Sequence, residues 1–402
     1  MNTLSSAPSI GKKTGESLPE QQARSVEFSI ACYDREVPPF AGVEIERLHG
    51  HLYCLPSYLA MTGQLDGAST YVASKDGVPA TVLLFRMEGH AVTVISEFVQ
   101  LDEEEIRRFA AYMFGTFSSV RRISFNRVRT VLRSLPYPWH AVNHTEDMIV
   151  ELPATPQEYD ARIGKNMRRN IKRYTSALQR DFPTYAYRIC DAEDIGEQDI
   201  RDIIRLGCVR MESKNIEPRY TEEETRWIVQ LAKRCGLIGL ATIDGKVCAG
   251  AIGFRIGENY FMHVIAHDPQ YNDYSLGILC YYHTICEGIA RGGKRFHLLQ
   301  GRYGYKYRLL AERHDIQHLD IYRNPVHAIA QGKRIVRKAL DGRVLAIKQW
   351  LLHDAERSDA PGARFIAQVV NRLRQRKRSS GDAVRPPQES TTTHPSGKKS
   401  SG

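Results

Sequence analysis

No uncharged stretch of the 402 residues reaches the roughly 18 needed to span a bilayer, and the opening segment (MNTLSSAPSIGKKTGESLPEQQ) has no apolar core of the sort an export signal requires. The chain is therefore expected in the cytoplasm. Any CxxC pair is also missing. The eight cysteines (Cys32, Cys54, Cys190, Cys208, Cys235, Cys248, Cys280 and Cys286) are scattered, most of them among apolar neighbours. That distribution speaks against a disulfide framework and against a zinc site, and predicts reduced core thiols. Net charge is lacking over most of the chain. Residues 1–322 hold 39 basic and 40 acidic residues, so the +10 of the whole comes from residues 323–402, with 17 basic against 6 acidic. The basic character belongs to an appendage, which weakens a general nucleic-acid reading of the body.

What is there, 42% apolar and 25% charged residues, suffices for two cores. Both ends are poor in apolar residues and rich in Ser, Gly, Pro and Thr, so residues 1–25 and 379–402 are expected to be disordered. Between them lies an internal repeat. Residues 69–126 read strand, Asp76-Gly77 turn, strand, Glu88-Gly89 turn, strand, helix over 102–116, strand. Residues 237–300 repeat the order with Asp244-Gly245, a turn at Gly257-Glu258-Asn259 and a helix over about 275–290. Five elements in one order, with both turns alike, argue for two copies of one mixed α/β domain, 26–145 and 146–322. The second is preceded by a strand (MIVELP), an amphipathic helix over about 156–180, a strand (TYAYRIC) and helices near 197–212 and 221–235.

The order meander, helix, strand, short helix, strand is that of the GNAT acyltransferase fold. Residues 236–323, with Ser275-Leu276-Gly277 at a helix start and HLLQGRYGYK at His297–Lys306, resemble the CelD-type GNAT-like acetyltransferases of cellulose and exopolysaccharide synthesis. His297 and Arg302-Tyr303 stand where that pattern usually has acids. Tandem copies also resemble the Fem-type peptidyltransferases. The expected architecture is two tandem GNAT-like domains followed by a basic helical extension, 323–378.

A GNAT-like site sets the pyrophosphate of acyl-CoA on the N-terminus of the helix after the meander, where free N–H groups and the helix dipole favour an anion. Ser275, expected to cap that helix, Leu276 and Gly277 suit the task, with Val264 and Ile265 on the preceding strand as further cofactor-binding residues. The first copy has Asp102, Glu103, Glu104 and Glu105 in that place, which would repel a pyrophosphate. The glycine- and tyrosine-rich loop Gly301–Arg308 offers Tyr303, Tyr305 and Tyr307 to protonate a departing thiolate and Lys306 to hold phosphate or carboxylate. Replacing Tyr305 or Lys306 is expected to slow transfer without much change in melting temperature. His263 and Glu212 are candidate bases. His263 and His267 lie about 13 Å apart on a strand, too far to share a metal. His49, His51 and Cys54 form HxHxxC without a fourth ligand, so no metal is expected.

Two basic features remain. Lys165, Arg168, Arg169, Lys172 and Arg173 fall within about 140° of one helix face, opposite Met167, Ile171, Tyr174 and Leu178. Residues 326–352 and 364–378 read as basic amphipathic helices suited to an anionic membrane surface or a partner helix. For the first of them, docking of the apolar stripe on the body is the expectation. Together these features predict an acyl-CoA-dependent acyltransferase acting on a sugar or polysaccharide precursor, with peripheral contact at the inner membrane through the extension. The alternatives are a Fem-type transfer from aminoacyl-tRNA, the one reading that brings in nucleic acid, and a non-catalytic scaffold of a polysaccharide synthesis complex.

Overall fold

A computed structural model describes residues 28–213 and 220–349. The expected disordered ends and the basic segment 364–378 lie outside the described residues. In chain order the first half runs β1 (Phe28–Tyr33), α1 (Pro39–His49), α2 (Pro56–Met61), β2 (Ser69–Lys75), β3 (Val78–Glu88), β4 (Ala91–Val94), β5 (Val99–Gln100), α3 (Glu103–Thr116), β6 (Arg122–Arg129) and β7 (Trp139–Glu151). The second runs α4 (Pro156–Arg162), α5 (Lys165–Asp181), β8 (Ala186–Asp191), α6 (Glu197–Glu212), α7 (Glu222–Cys235), β9 (Gly236–Ile243), β10 (Lys246–Ile256), β11 (Asn259–His267), α8 (Leu276–Ala290), β12 (Arg295–His297), α9 (Gly304–Arg308) and β13 (Glu312–Tyr322). Then come α10 (Pro325–Ala330) and α11 (Gly332–Gln349).

Local chemistry sets these elements. In both DG turns the two central residues have positive φ (Asp76 51°, Gly77 81°; Asp244 50°, Gly245 72°), the geometry that matches strand twist in tight hairpins. The repeat is thus carried by equivalent turns. Capping boxes start α3 (Asp102 with Glu105) and α7 (Thr221 with Glu224). The expected helix over 156–180 is two helices, because α4 ends at Ile163 and Gly164 opens α5.

All strands among the described residues join one sheet in the order β1-β2-β3-β4-β6-β13-β7-β12-β11-β10-β9-β8, with β5 beside β6. The centre is an exchange. The last strand of the first half, β7, pairs antiparallel with β12 of the second; the last strand of the second half, β13, pairs antiparallel with β6 of the first; β7 and β13 pair with each other. Residue 145, near the expected boundary, falls inside β7, so the sheet continues through it. One apolar core follows the sheet across both halves, including Ile45, Leu52, Phe109, Ile203, Ile228 and Phe261. Phe109 meets Phe85 and Phe125 edge-on at 6.0 and 5.7 Å, each pair adding about 0.5–1.5 kcal/mol beyond area burial. A second core lies under α4, α5 and α8.

The extension departs from expectation. α11 docks on β7 and β13 with its polar side: Lys338 donates to Asp320 at 3.0 Å, next to His318, and Gly342 lies against Val142. Its apolar residues Val336, Leu340 and Val344 are 58%, 55% and 63% exposed. The buried carboxylate of Asp320 is the reason, since it draws the basic face inward. No helix among the described residues is long and apolar enough to cross a membrane.

Candidate active site

The site begins with an extra residue in β11. Ile252 pairs with Val264 but Gly253 pairs with Met262, leaving His263 unmatched in a β-bulge. The bulge turns the strand over: Phe261 joins the larger core before it, and Val264 and Ala266 join the same core after it, although their spacing would put Phe261 and Val264 on opposite faces. β12 pairs parallel with β11 from Asn259 and Arg295 only as far as Phe261 and His297. Beyond that point the chain turns to β7, where Leu298 and Leu299 exchange hydrogen bonds with Met148. Among the described residues no strand pairs with the Met262–His267 edge on that side, so the two strands part at the bulge.

On one side of the opening stands the N-terminus of α8. Ser275 is its N-cap residue, but in the left-handed region (φ 50°, ψ 40°) and with no side-chain cap. The expected serine cap is therefore not formed, and the Ser275 side chain hydrogen-bonds Tyr174 instead. Hydrogen bonds to Ser275 and Arg173 pull the Tyr174 hydroxyl below the usual tyrosine range. The first turn of α8 holds no acid. Gly277 has room beside it: an added Cβ would meet only the His267 ring, at 3.5 Å. Leu276 and Val264 are buried, and Ile265 packs against the smaller core. An uncapped helix start beside Arg173 is a donor set that fits a pyrophosphate. At the equivalent place in the first half, Glu105 closes a capping box and Glu103 accepts N–H groups from Arg133 and Ser134.

Below α8 the hydroxyls of Tyr281 and Tyr305 lie 3.2 Å apart. Burial pushes Tyr281 well above the ordinary tyrosine pKa and raises Tyr305. Tyr303 is half exposed and stacks on Tyr305 at 5.8 Å. Lys306 is buried, and its Nζ donates to the carbonyls of Leu298 (2.6 Å), Leu299 (3.0 Å) and Gln300 (2.6 Å). Three N–H donors meet three acceptors, so the ammonium pins the turn after β12. Burial lowers its pKa to about 8. Glu146 of β7 holds the same turn, accepting from Gly301 N–H (3.0 Å) and Arg302 Nε (3.2 Å).

On the other side of the opening is a cavity of about 440 Å³ built by both halves. One wall is aromatic, with centroids of Tyr53–Tyr58 at 5.1 Å, Tyr58–Trp227 at 5.7 Å and Trp227–His263 at 5.0 Å. Glu97, Arg127, Glu224 and Gln300 supply polar groups. The structure thus brings His263 to this cavity and Tyr303, Tyr305 and Lys306 to the segment behind it. Glu212 is exposed at the end of α6 and does not line the cavity. Sequence reading missed Tyr53, Tyr58, Glu97, Arg127 and Trp227. Their convergence follows from strand exchange, and no local pattern signals it.

Comparison with known proteins agrees with this geometry. Residues 165–307 match the acetyltransferase (GNAT) domain model. No curated protein sequence matches the chain significantly. In solved structures the fold is similar to that of FemX (TM-score 0.54, 10% identity, covering 76% of this chain and 99% of that one). It is also similar to that of a conserved protein of unknown function from Bacteroides thetaiotaomicron VPI-5482 (TM-score 0.50, 13% identity, 74% and 100% covered). Residues 165–307, which carry the bulged strand, the parted edges and the uncapped helix start, are thus similar to the GNAT acetyltransferase domain, a fold that implies acyl-CoA as co-substrate.

Proposed function

We propose that the chain transfers an acyl group to a hydroxyl or amine of a sugar or polysaccharide precursor seated in the cavity between the halves. Acyl-CoA supplies the activated thioester. Ser275, Leu276 and Gly277 would hold its pyrophosphate at the start of α8, and Val264 and Ile265 would line the acyl group. His263, at the bulge, faces the cavity as the base that takes the acceptor's proton. Tyr305, kept protonated by burial and within reach of Tyr281, is the acid for the leaving thiolate, with Tyr303 next to it. Lys306 positions the turn that carries Gln300 into the cavity.

The observation that carries the acceptor class is the cavity wall. Sugar rings present C–H faces that lie on aromatic rings and hydroxyls that need carboxylate, amide and guanidinium partners, and this cavity offers both sets. The resemblance to CelD-type enzymes points the same way. A second reading, transfer from aminoacyl-tRNA, is favoured by Lys165, Arg169 and Lys172, exposed on α5. The outward apolar stripe of α11, flanked by Lys333, Arg337 and Arg343, supports peripheral attachment to an anionic membrane.

Thiol release from acetyl-CoA, followed with amino sugars, neutral sugars and oligosaccharides as acceptors and against aminoacyl-tRNA, tests the reading. Sugar-dependent release that Trp227→Ala weakens through KM supports it. Transfer only from aminoacyl-tRNA establishes the second reading, and no transfer with any acceptor contradicts both.

A further inference from the structure

A second polar cavity, of about 380 Å³, lies at the seam of the two halves and includes neither α8 nor the residues that line the acceptor cavity. Three of its lining residues come from three separate elements: His51 from the loop after α1, Asp147 from β7 and His297 from β12. They are 5%, 2% and 4% exposed, and one ligand atom from each lies within 4.8 Å of the others. Burial of this depth is rare for such groups unless they are paired or coordinate an ion.

Pairing is incomplete. His297 Nδ1 is 2.6 Å from Asp147 Oδ2, and His51 Nε2 reaches the same oxygen only at 3.5 Å, beyond a good hydrogen bond. Asp147 Oδ1 and His297 Nε2 are buried and have no hydrogen-bond partner. The rings are held rigidly: His51 stacks on Phe98 at 4.7 Å, and His297 stacks on Phe261 at 4.3 Å. Two imidazoles and one carboxylate, pre-set by packing and short of partners, are a ligand set for a borderline-soft divalent ion with one position left open.

We propose that His51, Asp147 and His297 bind a divalent transition-metal ion, zinc above all, that ties β7 and β12 to the loop after α1. The ion takes the place of the protons that the two imidazoles now direct at Asp147. Its cost is small: the Tyr53 N–H contact with His51 Nδ1, long at 3.3 Å, is given up so that this nitrogen can carry the proton. The remaining coordination position faces the cavity, where Arg129 and His314 stand on the lining.

The test uses the full chain without a polyhistidine tag. Elemental analysis after dialysis, and visible absorption after loading with Co²⁺, are read for wild type and for His51→Gln, Asp147→Asn and His297→Gln, each checked for folding by circular dichroism. One ion per chain, Co²⁺ ligand-field bands without a thiolate charge-transfer band, and affinity at least about tenfold weaker in folded variants are expected. A folded wild type that neither retains nor takes up Zn²⁺ or Co²⁺ overturns the proposal. So does a thiolate band, which would put the ion on cysteines, or unchanged binding by the variants. Should every variant unfold, the wild-type metal content and Co²⁺ spectrum still decide.

Discussion

The phenolic oxygens of Tyr281 and Tyr305 stand 3.2 Å apart, one on the helix that opens at the proposed pyrophosphate site and the other on the short helix behind the parted strands. Burial raises the pKa of both, so each remains a proton donor at neutral pH. Tyr305→Phe is expected to lower kcat about a hundredfold while the Kd of CoA and the melting temperature change little. The alkaline limb of the wild-type kcat profile is expected above the usual tyrosine value of about 10. A Tyr305→Phe enzyme of normal kcat would remove Tyr305 from the proton path and turn attention to Tyr303.

Lys306 differs. Its removal strands three carbonyls around a buried turn, and each unmet hydrogen bond to a charged group costs about 1.5–3 kcal/mol. Lys306→Met is therefore expected to lower stability by several kcal/mol, read as a fall in the urea midpoint, against the sequence-based expectation of a melting temperature within a few degrees of wild type. An unchanged midpoint would mean that the turn holds without the ammonium.

Asp320 ties the exchanged strand β13 to β6, accepting Ser124 Oγ at 2.5 Å, with Lys338 at 3.0 Å. Burial alone would raise its pKa, but the His318 and Ser124 hydrogen bonds and the charges of His318 and Lys338 hold it well below the usual carboxylate range. A depressed carboxylate stabilises the fold above its unfolded pKa of about 3.9, and that contribution is lost as pH falls below this value. Asp320→Asn should cost about 3 kcal/mol near neutral pH, with the gap to wild type closing in acid. A gap independent of pH would show that the charge is not the source.

The outward stripe Val336, Leu340 and Val344 predicts binding to anionic vesicles that weakens with salt. Replacing the three by Ser should abolish sedimentation with such vesicles and leave CoA binding intact. Equal sedimentation of the variant and wild type would count against attachment through α11.

The repeat was legible because its signals are local. Each DG turn needs positive φ at two successive residues, and Asp76-Gly77 and Asp244-Gly245 supply it at matching points. The helices over 102–116 and 197–212 were legible too, and the observed α3 and α6 agree to within a residue. Strand exchange was not legible, since alternation in β7 and β13 tells which face is buried and not which neighbour is paired. The same blindness hid the partners of His51. HxHxxC drew attention to His49 and Cys54, whereas the side chains that meet His51 belong to distant strands. One clue was present: His297 occupies a position where the resemblance leads one to expect an acid, and the structure supplies an acid opposite it, Asp147. Lys306 carried no signal that it would be spent on carbonyls, because its acceptors are backbone.

The most direct measurement is calorimetric titration of acetyl-CoA into the wild-type chain and into Gly277→Asp. An added Cβ at Gly277 meets only the His267 ring, at 3.5 Å, so the variant is expected to fold, and its carboxylate would oppose a pyrophosphate held at the start of α8. One site per chain is expected in wild type, with binding at least about tenfold weaker in the variant, a loss of about 1.4 kcal/mol or more, at equal melting temperature. No binding by the wild type, or equal affinity in a folded Gly277→Asp, would contradict a CoA site at the start of α8.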